Sequence, residues 1–203
     1  MTNSNEVLNK DITLKEYLKD KPIKVISKKP TPENLEKVKL EIDKILETND
    51  LSGKYFEEGS GRTAVEINGF IVKLPNHNED LTCCGYSQNL KEVEVYFSSK
   101  HECLNPVYTT YKGCLICKLL LNSHDINILI DNFDLDYKIL ESIRLKAFSK
   151  LENTIKQFNL HLGDLDQYRQ WGIDTETLEY RCLDYGLSDE FELKSNGGLN
   201  NDK

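Results

Sequence analysis

Apolar positions along this chain change their period several times, and each change marks an element. After Thr31-Pro32, an N-cap followed by proline at the first helical position, Leu35, Val38, Ile42, Ile45 and Leu46 recur at helical spacing. They predict a helix over 31–48, stopped by Asn49-Asp50. After Leu51 the period falls to two, as Thr63, Val65 and Ile67 alternate with smaller or polar residues up to Asn68-Gly69, beyond which Phe70 and Val72 resume the pattern. Asn-Gly between two alternating runs predicts a two-residue hairpin. A loop rich in Asn, Asp and Cys follows, then a helix over about 87–100 with Leu90, Val93 and Phe97 on its buried stripe. Two short strands, 107–111 and 114–118, join at Lys112-Gly113.

The second half reads as helical. Ser123 can cap a short helix to about Asn132, and Leu135, Ile139, Ile143, Ala147, Leu151 and Ile155 step by four, predicting one long helix over 134–158 with a continuous apolar stripe. A loop over 161–170 leads to two strands, 171–173 and 178–183, separated by the turn-like Asp174-Thr175-Glu176-Thr177. Ahead of all this, residues 1–30 hold a small helix near 13–18 and a short strand at 23–26. Residues 195–203 form a polar tail expected to be disordered.

Composition narrows the function classes. With 203 residues and a formal charge of -8, the chain suits one domain with a small appendage and disfavours a nucleic-acid binder, which needs a positive surface to displace counterions. No apolar run approaches the roughly 20 residues of a membrane span. The first residues lack the pattern of a secretory signal, so a cytoplasmic location is expected, with the six cysteines reduced. Cys114 and Cys117 would point to opposite faces of a strand. His77, Cys83 and Cys84 are parted from His101 and Cys103 by a helix, so neither set reads as a zinc site. The acidic turn 174–179 and the lysines of helix 31–48 read as solvated faces.

Five pieces carry chemistry. Gly59-Ser60-Gly61 lies between strand-like segments, where a glycine turn can lay backbone N–H groups over phosphates. Lys73 sits among apolar neighbours in Ile71-Val72-Lys73-Leu74-Pro75, and a lysine there needs an anion, because a buried unpaired ammonium costs several kcal/mol. Glu92, off the apolar stripe of its helix, is the available carboxylate. His161-Leu162-Gly163-Asp164-Leu165-Asp166 and Asp184-Tyr185-Gly186 supply further carboxylates, Asp184 at a strand end suited to holding magnesium beside phosphates.

In this order the pieces resemble the protein kinase-like superfamily, in particular short divergent bacterial and phage members, over about residues 51–187. The resemblance implies an α+β, two-lobed kinase-like fold: a five-stranded antiparallel small lobe with its helix C, and a truncated, mostly helical large lobe. The implied layout is an N-terminal helical extension (1–50), small lobe and hinge (51–122), large lobe (123–194) and tail (195–203). Glu58-Gly59-Ser60-Gly61-Arg62 looks like the glycine-rich loop, Lys73 like the phosphate-binding lysine and Glu92 like its partner. The hinge beside adenine falls at 118–122, including Leu119. Asp164 stands in the catalytic base position and Asp184 in that of the magnesium-binding aspartate.

The departures are specific. The fifth residue after Asp164 is Arg169, not the family's asparagine, so Gln170 is the nearest neutral metal ligand, and Asp166 is the alternative active acid. Leu162 and Gly163 replace the usual histidine and arginine, and too little sequence follows Asp184 for a full activation segment and peptide platform. Three expectations remain: a kinase-like protein that binds ATP and Mg²⁺ and transfers the γ-phosphoryl group to a protein hydroxyl; a pseudokinase acting through a host or cellular protein partner; or a small-molecule phosphotransferase. The helix of the 1–50 extension is expected to brace helix 87–100, which deletion of 1–50 would test.

Overall fold

The computed structural model describes residues 12–59, 61–76 and 85–187. Helices α1 (Leu14–Leu18) and α2 (Pro32–Thr48) precede strands β1 (Phe56–Glu58), β2 (Arg62–Ile67) and β3 (Phe70–Pro75). Helix α3 (Gly85–Ser99) leads to β4 (Val107–Tyr111) and β5 (Cys114–Lys118). Then come α4 (Ser123–Phe133), α5 (Tyr137–Lys150), α6 (Glu152–Phe158), the short α7 (Leu162–Leu165) and a 3-10 turn (Tyr168–Gln170). A hairpin of β6 (Trp171–Asp174) and β7 (Glu179–Cys182) closes the described chain.

The fold is α+β, with a five-stranded antiparallel sheet in the order β1-β2-β3-β5-β4. Two turns of one kind build it. Asn68 and Gly69 have φ of 53° and 80°, and Lys112 and Gly113 have 48° and 80°, the paired positive values that match the twist of a tight hairpin. Lysine is an unusual occupant of that conformation, and Lys112 is held there by an ion pair to Asp43 of α2 at 2.7 Å.

Alternation along the strands gives the sheet two covered faces. Phe70, Val72, Leu74, Cys114 and Ile116 pack with Val38, Ile42 and Ile45 of α2, which Thr31 caps as expected. Leu115 and Cys117 face the other way, with Val93 and Tyr96 of α3. Cys114 and Cys117 therefore belong to opposite faces, and burial pushes their thiols up to about 11 and about 12. The sheet also lies between α2 and α3, so α2 does not brace α3 directly.

A separate apolar cluster gathers α4 to α6, the β6–β7 hairpin and, from the N-terminal segment, Leu14 and Leu18 of α1. Ile26 donates its N–H to Thr175 Oγ1 and Lys28 to the Gly69 carbonyl, so the stretch between α1 and α2 touches both the hairpin and the sheet. It is irregular there, not the short strand expected at 23–26, because its backbone bonds go to single partners and not to a ladder.

Three further expectations are corrected. The long helix over 134–158 is broken: Asp134 is left-handed, α5 begins at Tyr137, and α6 starts anew after Leu151. Residues spaced by four advance about 40° around a helix at 3.6 residues per turn, so a straight helix would carry that stripe off its core; the break re-aims Leu151 and Ile155, both buried. Asn122, not Ser123, caps α4. On α3 the expected stripe is inverted. Leu90 and Phe97 are about half exposed, whereas Gln88, Asn89, Glu92 and Val95 are buried. Polar partners on the sheet and near Asp184 draw in the polar face. Among the described residues, no helix is long and apolar enough to cross a membrane.

Candidate functional site

Two adjoining cavities, of about 470 and about 500 Å³, open between the sheet and the helical half. Lys73, Ala64, Asn122, Gln170 and Asp184 line both. Ile26 and Leu119–Leu121 line the first; Gly59, Gly61, Arg62 and Asp164 line the second. Ser60, named with that turn, lies outside the described residues, as do His77, Cys83, Cys84 and the tail.

Between the cavities lies a cluster of four charges, three of them buried and Asp184 partly so. Lys73, on the α3 side of β3, donates to both Glu92 oxygens at 2.7 and 2.8 Å and to the Leu183 carbonyl at 2.6 Å. All three of its N–H bonds are thereby used. Arg62, the first residue of β2, turns inward: it pairs with Glu92 at 2.8 Å, with Asp184, and through Nη1 with Asn89 Oδ1 at 3.0 Å. Asn89 is fixed in turn by donating to the Lys73 and Gly113 carbonyls at 3.1 and 2.8 Å. Asn89, and the inward turn of Arg62 onto Glu92 and Asp184, are the parts of this site that sequence reasoning misses. In the sequence Arg62 reads as part of the glycine loop, and Asn89 gives no signal beyond lying three residues before Glu92.

Burial pushes the Glu92 carboxyl up, against the pull of Arg62 and Lys73. Burial acts the same way on Asp184, but Arg62 and Lys73 outweigh it and hold that carboxyl well below the usual carboxylate range. Arg62 itself is held above its ordinary value, since its two carboxylate neighbours outweigh desolvation.

Close packing positions these groups. A Cβ on Gly186 would lie 2.5 Å from the Gln88 carbonyl oxygen, so glycine there lets the Asp184-Tyr185-Gly186 segment press against α3. Tyr185 is buried, donating its hydroxyl to the Asn105 carbonyl at 2.9 Å, with the Lys73 ammonium 5.9 Å from its ring centre. The glycine turn is pinned from β3: the Asn76 side chain donates to the Gly59 carbonyl at 3.0 Å and its backbone N–H to the Gly61 carbonyl at 2.9 Å.

On the opposite rim, Asp164 accepts from Gln170 Nε2 at 3.0 Å. Asp166 points elsewhere, 3.7 Å from Arg144 and largely exposed, so of the two aspartates only Asp164 lines the cavity. At the far end of the first cavity, the N–H and C=O groups of Leu119 and Leu120 make no hydrogen bond among the described residues, and Asn105 Oδ1 is buried without a partner. Arg169 is exposed at the mouth of both cavities and has neither hydrogen bond nor ion pair among the described residues. Known proteins add nothing to this picture. The chain matches no family model, no curated protein and no solved structure.

The arrangement thus brings Lys73, Glu92, Arg62, Asp164, Gln170 and Asp184 around one cleft, with Leu119 at its far end. It offers, among the described residues, unbonded backbone at one end, an unpaired guanidinium at the mouth and a charge cluster in between. Among the described residues, no group of three or more His, Cys, Asp or Glu side chains is disposed to hold a metal.

Proposed function

We propose that this protein is kinase-like and two-lobed, with the five-stranded sheet and α3 as the small lobe, and that its cleft binds ATP. The observation that carries the reading is the buried Lys73–Glu92 pair on the floor of a cleft whose far wall is the unbonded backbone of Leu119–Leu120. The backbone there would meet the edge of the base, and the unpartnered Asn105 Oδ1 adds an acceptor in the same cavity. Phosphates would extend toward the second cavity, under Gly59 and Gly61. Asp164, held by Gln170, is the group that would orient an acceptor hydroxyl on a protein substrate.

The expected magnesium does not fit this arrangement. Asp184, its intended ligand, is ion-paired to Arg62, and Gln170, the second, is tied by its amide N–H to Asp164, which leaves its carbonyl oxygen as the sole donor beside that pair. Thermal unfolding tests the reading. Saturating ATP should raise the melting temperature of the wild type, a ligand at 100 Kd contributing about 2.7 kcal/mol, and Lys73→Ala should abolish the rise. A wild type indifferent to ATP, with or without magnesium, overturns it.

A second reading, a pseudokinase acting through a protein partner without catalysis, is favoured by the same cluster. Lys73 has spent its N–H bonds and Asp184 is neutralised, so little remains to activate a γ-phosphate. The exposed Tyr86, Leu90 and Phe97 on α3 give such a module an apolar face. An 80-Da mass gain on incubation with ATP, lost in Asp164→Asn, would establish transfer and remove this second reading.

A further inference from the structure

The four clustered charges of the cleft balance. Arg62 and Lys73 face Glu92 and Asp184, two cations against two carboxylates. Without Arg62 the same group would carry an excess negative charge, which is the condition that draws in a divalent cation. With it, a divalent ion at Asp184 would have to displace a guanidinium or sit against it. Arg62 is not free to leave. Its side chain is 5% exposed, it is anchored on three partners, and it follows directly on the pinned Gly61. The second cation is placed differently: Arg169, at the position where the family resemblance expects a neutral metal ligand, stands unpaired among the described residues at the mouth of both cavities.

We propose that Arg62 takes the place of the divalent cation in this cleft, so that the cleft binds a nucleoside polyphosphate without metal, with Arg169 supplying the free guanidinium that meets the phosphates. The polyphosphate half rests on the nucleotide reading above, whereas the exclusion of metal stands on the Arg62 geometry alone. Planar guanidinium donors suit phosphate oxygens, and an arginine keeps its charge across the whole physiological pH range. Metal-free binding follows from this geometry because the place a divalent ion would take beside Asp184 is already filled by a cation of the chain, while Arg169 brings the positive charge that meets the phosphates.

Calorimetric titration of the full chain with ATP, once in EDTA and once in excess magnesium, is the first test. The expected affinity in EDTA equals or exceeds that in magnesium, and Arg169→Ala, an exposed substitution, weakens it at least tenfold without moving the melting temperature of the free protein. An affinity that rises tenfold or more with magnesium overturns the proposal while leaving the nucleotide reading intact. No ATP binding under either condition overturns both. Mn²⁺ alone is the second probe: the wild type should not bind it, and Arg62→Gln, which uncovers Asp184 and Glu92, should. If Arg62→Gln loses its fold, as judged by circular dichroism, Arg62→Met serves instead, because it removes the charge from Asp184 and Glu92 while keeping most of the buried aliphatic length of the side chain. Mn²⁺ binding by the wild type as tight as by either variant overturns the assignment of Arg62.

Discussion

Arg62, Lys73, Glu92 and Asp184 form one largely buried group of two cations and two carboxylates; Lys118, Arg181, Asp174 and Glu176 form another, with Glu176 at its exposed edge. The second group ties the end of β5 to the β6–β7 hairpin. Lys118 reaches Asp174 and Glu176 at 2.9 and 2.8 Å, Arg181 reaches Asp174 at 2.9 Å, and the Glu176 N–H completes the Asp174 shell at 3.0 Å. It borders neither cavity of the cleft. The first group borders both. Equal charge inventories therefore do different things: one fixes where two elements meet, and the other also presents a surface to whatever enters the cleft. A buried ion cluster marks a site only where it abuts space for a ligand.

The largest effects come from removing one carboxylate of each group. Glu92→Ala and Asp174→Ala each leave two cations short of a buried partner and should each lower the unfolding free energy by about 3–5 kcal/mol in urea titrations. Only Glu92→Ala should also alter the response to ATP. An equal loss of that response in Asp174→Ala would erase the distinction between the clusters.

Glycines beside each group sharpen it at smaller scale. An alanine Cβ at Gly186 meets the Gln88 carbonyl oxygen at 2.5 Å, and one at Gly172 meets the Leu121 carbonyl oxygen at 2.8 Å. Both are backbone contacts that cannot simply rotate away, so each substitution should cost about 1–3 kcal/mol. Nucleotide affinity, measured on both variants, should fall for each, but only Gly186→Ala, which displaces Asp184 from Arg62, should also let Mn²⁺ bind; Gly172→Ala acts through Leu120 and Leu121, which line the first cavity.

The smallest effect is in the pH dependence. Burial would raise the Asp174 carboxyl, but the Lys118 hydrogen bond and Arg181 hold it below its ordinary value. A folded pKa below the unfolded one adds stability above about pH 4 and loses it as the pH falls through the folded value, by about 1.4 kcal/mol for each tenfold difference in acidity between the folded and unfolded carboxyl. Asp174→Asn should thus flatten the fall in stability on the acid side. Glu92, pushed up by burial, contributes with the opposite sign, its penalty growing as the pH rises through its folded value. Glu92→Gln should leave the acid-side slope in place, and a flattening as large as that of Asp174→Asn would contradict this account.

Legibility from sequence follows the range of the forces involved. The Thr31 cap, the Asn68-Gly69 and Lys112-Gly113 turns and the alternation of β2 and β3 are settled within a few residues of chain, and each is readable. The Lys73–Glu92 contact is readable too, because an ammonium among apolar neighbours needs an anion and the next helix offers one off its apolar stripe. Asp174 is the counterexample. Its acidic neighbours make it look solvated, and only the arrival of Lys118, 56 residues earlier in the chain, explains its burial.

What the sequence determined by itself, then, is the helix after Thr31, the strands of the sheet, the tight turns that join them and the set of charged residues that need partners. Tertiary structure decided the pairings. It turned the polar face of α3 inward, folded Arg62 onto Asp184 and Glu92, left Arg169 at the mouth of the cleft, and chose Asp164 over Asp166 to line it. Local propensity depends on neighbours along the chain, whereas a buried charge is stabilised by whichever opposite charge the fold delivers within about 4 Å, however distant in sequence.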